Sequence, residues 1–308
     1  MQVFVTGASG WIGSAVVDEL LADGHAVTAL ARSDASASAL EAKGVRVQRG
    51  DLDDLDGLRR GAGAAEAVLH LANKHDFANQ AVSNAAERAA VQTFSDTLAG
   101  SDRPFLFAAG VAGLSLDRPG LAAGRPVTEA DASPFHGPDS PRGGAENLAL
   151  EYVDRGVRAV SLRFSPTVHG AGDHGFISVI TDAARRHGVA GYPGDGTNRW
   201  AAVHRSDAAR LVALGLAKAP AGTRLHAVAE EGVTSREIAE AIGAALDLPV
   251  ASVAPDDVTE HFGWLGGFFG AEMSATSTAT RELLGWTPTG PTLVEDIAAG
   301  AYTTPTAV

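Results

Sequence analysis

Cysteine is absent from the 308 residues. That removes disulfides, thiolate nucleophiles and cysteine-ligated metals together, and leaves no thiol from which to read the compartment. Lysine and tyrosine are almost as scarce, with three of each: Lys43, Lys74 and Lys218, and Tyr152, Tyr192 and Tyr302. No apolar run approaches the roughly 20 residues that cross a bilayer. The opening Met1-Gln-Val-Phe-Val-Thr6 reads as a short strand and not as a secretion leader. Basic residues are outnumbered, 24 Lys plus Arg against 37 Asp plus Glu, for a net charge of −13. Such a surface repels phosphate backbones and anionic lipid, so neither nucleic acid nor a membrane is an expected partner. A soluble, cytoplasmic protein acting on a small-molecule substrate is expected. Other chemistries fail by missing motifs. There is no Gly-x-Ser-x-Gly elbow, no lysine followed by Ser or Thr as in a P-loop, and no histidine followed by Glu as in His-Glu-x-x-His. What remains is ordinary globular composition, 45% hydrophobic and 20% charged, with ample material for a core.

Short apolar runs at Val3–Thr6, Ala26–Ala31, Val45–Gln48, Ala67–Ala72, Phe105–Ala109 and Val157–Phe164 alternate with segments of helical pattern such as Trp11–Ala22 and Arg142–Arg155. Continuous apolar strands separated by helices imply a parallel sheet covered on both faces. The expectation is an α/β fold with a doubly wound parallel sheet of the Rossmann type and a smaller, mostly helical C-terminal substrate lobe. Residues 1–165 and about 200–230 are assigned to the dinucleotide-binding domain, and 166–199 and 231–308 to the lobe. Helices are expected near Ile177–His187 and Ser206–Lys218, and one more strand at Arg224–Ala229.

The most informative motif is Val5-Thr-Gly7-Ala-Ser-Gly10-Trp-Ile-Gly13, between a predicted strand and a predicted helix. Gly7 permits a tight turn, Gly10 lets backbone approach a pyrophosphate, and Gly13 lets the helix pack close to the strand. The free N–H groups at the helix start then hold the phosphates. Cofactor choice depends on the end of the second strand, where an acid ordinarily takes the ribose 2′-hydroxyl. There the chain has Arg32 and Ser33, donors suited to a 2′-phosphate, with Asp34 as an alternative ribose acceptor. NADP is expected over NAD.

The chain resembles the extended short-chain dehydrogenase/reductases over nearly its whole length. Thr6-Gly-Ala-Ser-Gly-Trp-Ile-Gly13 is similar to their TGxxGxxG turn, Gly50-Asp-Leu52 to the turn that meets adenine, and Leu69-His-Leu-Ala72 to the fourth strand beside the ribose. Leu162-Arg-Phe-Ser-Pro-Thr-Val-His-Gly170 resembles LRxxxVYG, with His169 in the tyrosine's place. Trp200-Ala-Ala-Val-His204, Asp207-Ala-Ala-Arg210 and Leu284-Gly-Trp-Thr-Pro288 resemble later stretches. The resemblance implies cofactor contacts from Gly7, Ser9, Gly10, Trp11, Ile12, Gly13, Asp51, Leu52, Leu71, Ala72, Asn73, Pro166, Thr167 and Val168, besides Arg32 and Ser33. It also implies a homodimer built from the helices at about Phe77–Ala99 and Arg142–Arg155. The family's Tyr-x-x-x-Lys pair does not carry over, because no lysine here stands four places after a tyrosine. Ser140 and Gly144 occupy the two positions, and Phe107-Ala-Ala-Gly-Val111 offers no catalytic hydroxyl.

Replacement groups are sought at the strand C-termini, where open α/β sheets bind ligands. Asn73-Lys74-His75 follows the fourth strand, and Lys74 or His75 there would donate a proton or hold an oxyanion, unless the segment is simply a solvated loop. Arg142 and His136 flank the emptied tyrosine position, where a serine hydroxyl is too weak an acid to act unaided. His169-Gly-Ala-Gly-Asp173-His174 lacks helical His-x-x-x-His spacing, so no metal is expected. Phe176, Trp200, Trp264 and Phe268 line either an apolar pocket or the inter-lobe core. His70 and His204 are read as structural. The expected function is an NADP-dependent oxidoreductase acting on a small, mostly apolar carbonyl or alcohol. A non-catalytic NADP-binding regulatory protein and a sugar-type epimerase or dehydratase are the alternatives.

Overall fold

The computed structural model describes residues 1–74, 79–116 and 125–304. Its first half runs β1 (Gln2–Thr6), α1 (Trp11–Ala22), β2 (Ala26–Ala31), α2 (Asp34–Glu41), β3 (Arg46–Arg49), α3 (Leu55–Gly63), β4 (Ala67–His70), α4 (Gln80–Leu98), β5 (Pro104–Gly110), α5 (Ala112–Leu116), α6 (Gly143–Glu151) and β6 (Arg158–Phe164). The second half adds β7 (Thr167–His169), α7 (Phe176–His187), β8 (Ala190–Pro193), β9 (Arg199–His204), α8 (Arg205–Lys218), β10 (Arg224–Ala227), β11 (Glu230–Thr234), α9 (Ser235–Leu246) and β12 (Val250–Val253). It ends with α10 (Val258–Phe262), α11 (Gly266–Phe269), α12 (Thr278–Leu284) and α13 (Leu293–Ala298).

Seven strands form one parallel sheet in the order β10-β6-β5-β4-β1-β2-β3. Period-two alternation decides which layer each side chain joins. Val3 and Val5 pack with Val16 and Leu20 of α1 and Leu211 of α8, whereas Phe4 packs with Leu58 of α3 and Phe94 of α4. Leu106 likewise joins the first layer and its neighbours Phe105 and Phe107 the second. A one-residue slip would exchange the two sets, so the register is held by both cores at once. The strand order reverses between β1 and β4, which opens the crevice at the carboxyl ends of those strands where such sheets take ligands.

The second lobe holds more strand than its sequence signals. β7, β9 and β11 form a three-stranded sheet and β8 and β12 a parallel pair. Each is six residues or fewer, too short for periodicity to separate from loop. β10 returns to the edge of the large sheet and α8 packs on α1. The lobe's core gathers Ile177, Trp200, Ile238, Phe262 and Phe269. The fourth strand ends at His70, and Leu71 and Ala72 beyond it pass close beside Gly7. The helix expected over Arg142–Arg155 is α6 followed by a separate 3-10 turn, Val153–Arg155, closed by Gly156 at φ +74°. Among the described residues no helix is long and apolar enough to cross a membrane.

Candidate active site

The glycine turn is shaped by close approach. Gly7 has φ +73°, and a Cβ on it would stand 2.6 Å from the Ala72 amide nitrogen. A Cβ on Gly13 would stand 2.0 Å from the Gly7 carbonyl oxygen. Neither position accepts a side chain, so the start of α1 seats directly on the ends of β1 and β4. Gly10 is the N-cap of α1 and has no side chain to satisfy the first-turn amides. Those N–H groups and the exposed Ser9 therefore fit an anion such as a pyrophosphate. Trp11 acts differently. Its indole N–H donates to the Val168 carbonyl at 2.7 Å, and the Arg205 guanidinium lies 4.2 Å above its ring. It ties the turn to β7, with Ile12 and Gly13 following it into the helix.

At the far end of the crevice, Arg32 and Ser33 are both exposed just past β2. Arg49 is paired in register with Ala31, and it donates to the Ser33 and Arg32 carbonyls at 2.7 and 3.2 Å. It also donates to the Asp34 carboxylate at 2.7 Å. Asp34 is thus held through one carboxylate oxygen. Ser33 accepts from the Ser36 amide and caps α2. The Arg32 guanidinium makes no hydrogen bond or ion pair among the described residues. Asp51 closes its own turn by accepting from the Asp53 and Asp54 amides at 2.9 and 3.2 Å, while Leu52 is buried in the core beside Leu30 and Leu58. On the other side, Thr167 is buried with a hydroxyl that has no partner among the described residues. It stands between Pro166 and Val168, where the resemblance places cofactor contacts.

Near the ends of β4 and β5 the polar groups converge on one buried acid, Glu87 of α4, only 3% exposed. Asn73 donates to one of its carboxylate oxygens and the Nε of Arg142 to the other, each at 3.1 Å. Burial pushes the Glu87 carboxyl up, against the pull of the Arg142 charge. His70 is fully buried, with Nδ1 2.7 Å from the Thr6 hydroxyl and Nε2 unpartnered among the described residues. Burial, with the Arg142 charge in support, lowers its pKa to about 3. Lys74 is drawn toward the β3 side, its ammonium 2.7 and 2.8 Å from the carboxylate oxygens of Asp53. His75 lies outside the described residues. Ser140 donates its hydroxyl to the Gly137 carbonyl at 2.8 Å, and a Cβ on Gly144 would strike that hydroxyl at 1.7 Å. The Asn147 amide is 3.4 Å from His136 Nε2 and donates to the Phe135 carbonyl at 2.7 Å.

The structure thus brings Asn73 and Arg142 together and places Lys74 apart from them. His169 is fully buried, with Nδ1 2.5 Å from the Asp296 carboxylate, and His204 Nδ1 caps α8. Phe176, Trp200, Trp264 and Phe268 stack edge to face, with centroids 5.1–6.0 Å apart. Trp200 is buried in the lobe's core, Trp264 is 57% exposed, and Ala112, just past β5, packs against that core. Sequence reasoning missed Arg49 and Glu87. Arg49 was recoverable as the strand-end base beside Ala31. Glu87 was recoverable as the lone acid on the buried stripe Ser83, Glu87, Ala90, Val91, Phe94 and Leu98 of α4.

Residues 7–103 match a family model described as NAD(P)H-binding. An uncharacterized protein of Schizosaccharomyces pombe is 42% identical over 302 residues, 98% of this chain and 100% of that protein. A 2'-dehydrokanamycin reductase of Streptomyces kanamyceticus is 30% identical over 267 residues, 82% of this chain and 69% of that protein. The crystal structure of a dTDP-glucose 4,6-dehydratase from Streptomyces venezuelae with NAD bound superposes with a TM-score of 0.75, at 22% identity and over 98% and 96% of the two chains. With the parallel sheet, the glycine cradle and these relatives in view, the chain belongs to the extended short-chain dehydrogenase/reductase family.

Proposed function

We propose that this protein is an NADP-dependent carbonyl reductase acting on a small, mostly apolar substrate. The observation that carries the reading is the pair of arginines at the ends of β2 and β3. Arg32 is unpaired among the described residues, and Arg49 already engages Asp34, the acid that follows Ser33. A ribose 2′-hydroxyl meets a carboxylate already paired with Arg49, whereas a 2′-phosphate finds two guanidinium groups. The uncapped start of α1 and the orphaned Thr167 hydroxyl fit the remainder of a dinucleotide. Bound NADPH supplies a hydride to a carbonyl carbon.

The chain's own residues must exclude water, orient the carbonyl and stabilise charge on its oxygen. Ala112, which packs on the lobe's core just past β5, is proposed as part of an apolar wall. Arg142, Lys74 and His75 are the candidate groups for the oxygen. Lys74 is committed to Asp53, which leaves Arg142 the better placed of the two described candidates. A guanidinium polarises the oxygen and hydrogen-bonds the developing oxyanion, and solvent delivers the proton. Steady-state oxidation of NADPH against a panel of aldehydes and ketones tests the reading; turnover of none of them overturns it.

A second reading, a non-catalytic NADP-binding regulator, is favoured by one observation: the sequence holds no Tyr-x-x-x-Lys pair. Tight NADPH binding without turnover would select it. We also propose a homodimer through α4 and α6, supported by the small exposed residues Ala81, Val82 and Ala85 on α4. Phe77 and Ala78, where the expected helix began, lie outside the described residues. Light scattering that reports a monomer at micromolar concentration refutes the dimer.

A further inference from the structure

Glu87 is the one acid on the buried stripe of α4, and a lone buried carboxylate is costly unless it is paired and fully hydrogen-bonded. Both of its oxygens are engaged, by groups from two other elements: Asn73 past the end of β4, and Arg142 at the N-cap of α6. The pairing is asymmetric. Glu87 is closed off from solvent, while the Arg142 side chain keeps 39% exposure. Only Nε of the guanidinium is spent on Glu87, and its other two nitrogens make no hydrogen bond among the described residues. They are donors held at a defined angle by a buried anchor. They also lie two residues from Ser140 and Gly144, where the phenol and lysine are missing.

We propose that Glu87 is a positioning residue that fixes the Arg142 guanidinium, with the Asn73 amide beside it, as the site that binds the substrate oxygen. The assignment rests on the reductase reading. In the step it would serve, a hydride supplied by bound NADPH, which would thereby be oxidised to NADP, would add to the carbonyl carbon, the C=O π electrons would move to oxygen, and a solvent proton would complete the alcohol. Arg142 stays protonated throughout, so Glu87 need neither give nor take a proton. Its work is to keep the cation pointed at the oxygen. A flexible, half-exposed arginine could not otherwise be pre-organised there. The charged and polar groups set around Glu87 are Arg142 from α6, Asn73 after β4 and, through the field of Arg142, the neutral His70 of β4.

The experiment combines kinetics with a titration that needs no turnover. Glu87→Gln and Arg142→Ala should each lower kcat about 10²-fold, with NADPH affinity within about twofold of the unaltered protein. The double variant should fall no further than either single one, and Arg142→Lys should recover rate only when Glu87 is intact. In the infrared, a protonated-carboxyl band that vanishes in Glu87→Gln should titrate above the ordinary glutamate range, and higher still in Arg142→Ala. Should Glu87→Gln not fold, Glu87→Asp takes its place. Full rate in Glu87→Gln with a slow Arg142→Ala, multiplying losses in the double variant, or a band indifferent to Arg142 each overturn the inference. An unaltered protein that binds NADPH and reduces nothing overturns the reductase reading instead. The titration then decides alone whether Glu87 orders Arg142.

Discussion

Replacing Arg32 by alanine isolates the discriminating contact of the proposed cofactor. The side chain is exposed and has no partner among the described residues, so its removal leaves no buried charge and should barely change stability. A charge-assisted hydrogen bond from guanidinium to phosphate is worth about 1.5–3 kcal/mol, which is about 10- to 150-fold in Kd. NADH carries no 2′-phosphate and should lose nothing. Arg49→Ala differs in sign for the second cofactor. Its ion pair with Asp34, at 48% and 99% side-chain exposure, contributes only about 0.2–1 kcal/mol. Deleting it frees the carboxylate to accept a ribose hydroxyl. Arg32→Ala should therefore weaken NADPH alone, whereas Arg49→Ala should weaken NADPH and strengthen NADH. Titration calorimetry at fixed ionic strength reads both, and added salt should narrow the gap because the contact lies in solvent. Equal affinity for the two cofactors in the unaltered protein, or equal weakening of both in Arg32→Ala, refutes the reasoning.

Gly13→Ala sets a Cβ 2.0 Å from a backbone oxygen that cannot step aside. Unfolding by urea should show a loss of about 1–3 kcal/mol, with cofactor affinity down more than tenfold; parental values of both would contradict the cradle. Stability should also fall on acidification. His70 and His226 titrate in the fold at about 3 and about 4, far below 6.5, so the unfolded chain takes up those protons first. The stabilisation is complete above pH 6.5 and is lost as pH falls toward 4, at up to about 1.4 kcal/mol per pH unit for each residue. Urea midpoints from pH 7 to 5 should drop steeply, and His70→Leu should flatten the slope; an unchanged slope would place the proton uptake elsewhere. Ser140→Ala should leave kcat within about twofold, since that hydroxyl is spent on Gly137. An inactive variant would return the acid to the old tyrosine position.

Much of the parallel sheet was readable from local chemistry. β2, α1 and the strands around them announce themselves because runs such as Val3–Val5 must be buried on both faces, and few other arrangements accommodate that. The glycines were legible because a Cβ at Gly7 or Gly13 meets backbone whatever the surroundings. The second lobe was harder. β7 is three residues long and pairs with β9 more than 30 positions away, so its identity lies in the partner and not in its own pattern. α6 was overextended because the amphipathic signal continues through Tyr152, whose ring in fact turns back to α4 and bonds Asp96.

The site divides along the same line. Residues whose place is set by their own backbone, such as Gly10 at an uncapped helix start, could be located from sequence. Residues whose role is set by contact across elements could not. Lys74 looked placed for chemistry by its nearness to β4, and a carboxylate 21 positions earlier draws it toward β3. Arg142 gains its meaning from Glu87, 55 positions before it, and Arg49 from Asp34 at the start of α2, 15 positions before it. An acid on an apolar helical stripe is the sequence trace of such a contact, because desolvation forbids it to stand alone. With no Tyr-x-x-x-Lys pair in the sequence, the proposed reductase would take the positive charge for its substrate oxygen from another element, and a half-exposed arginine holds its angle only against a buried anchor. Glu87 beside Arg142 supplies that anchor, and losing either member should cost the same rate.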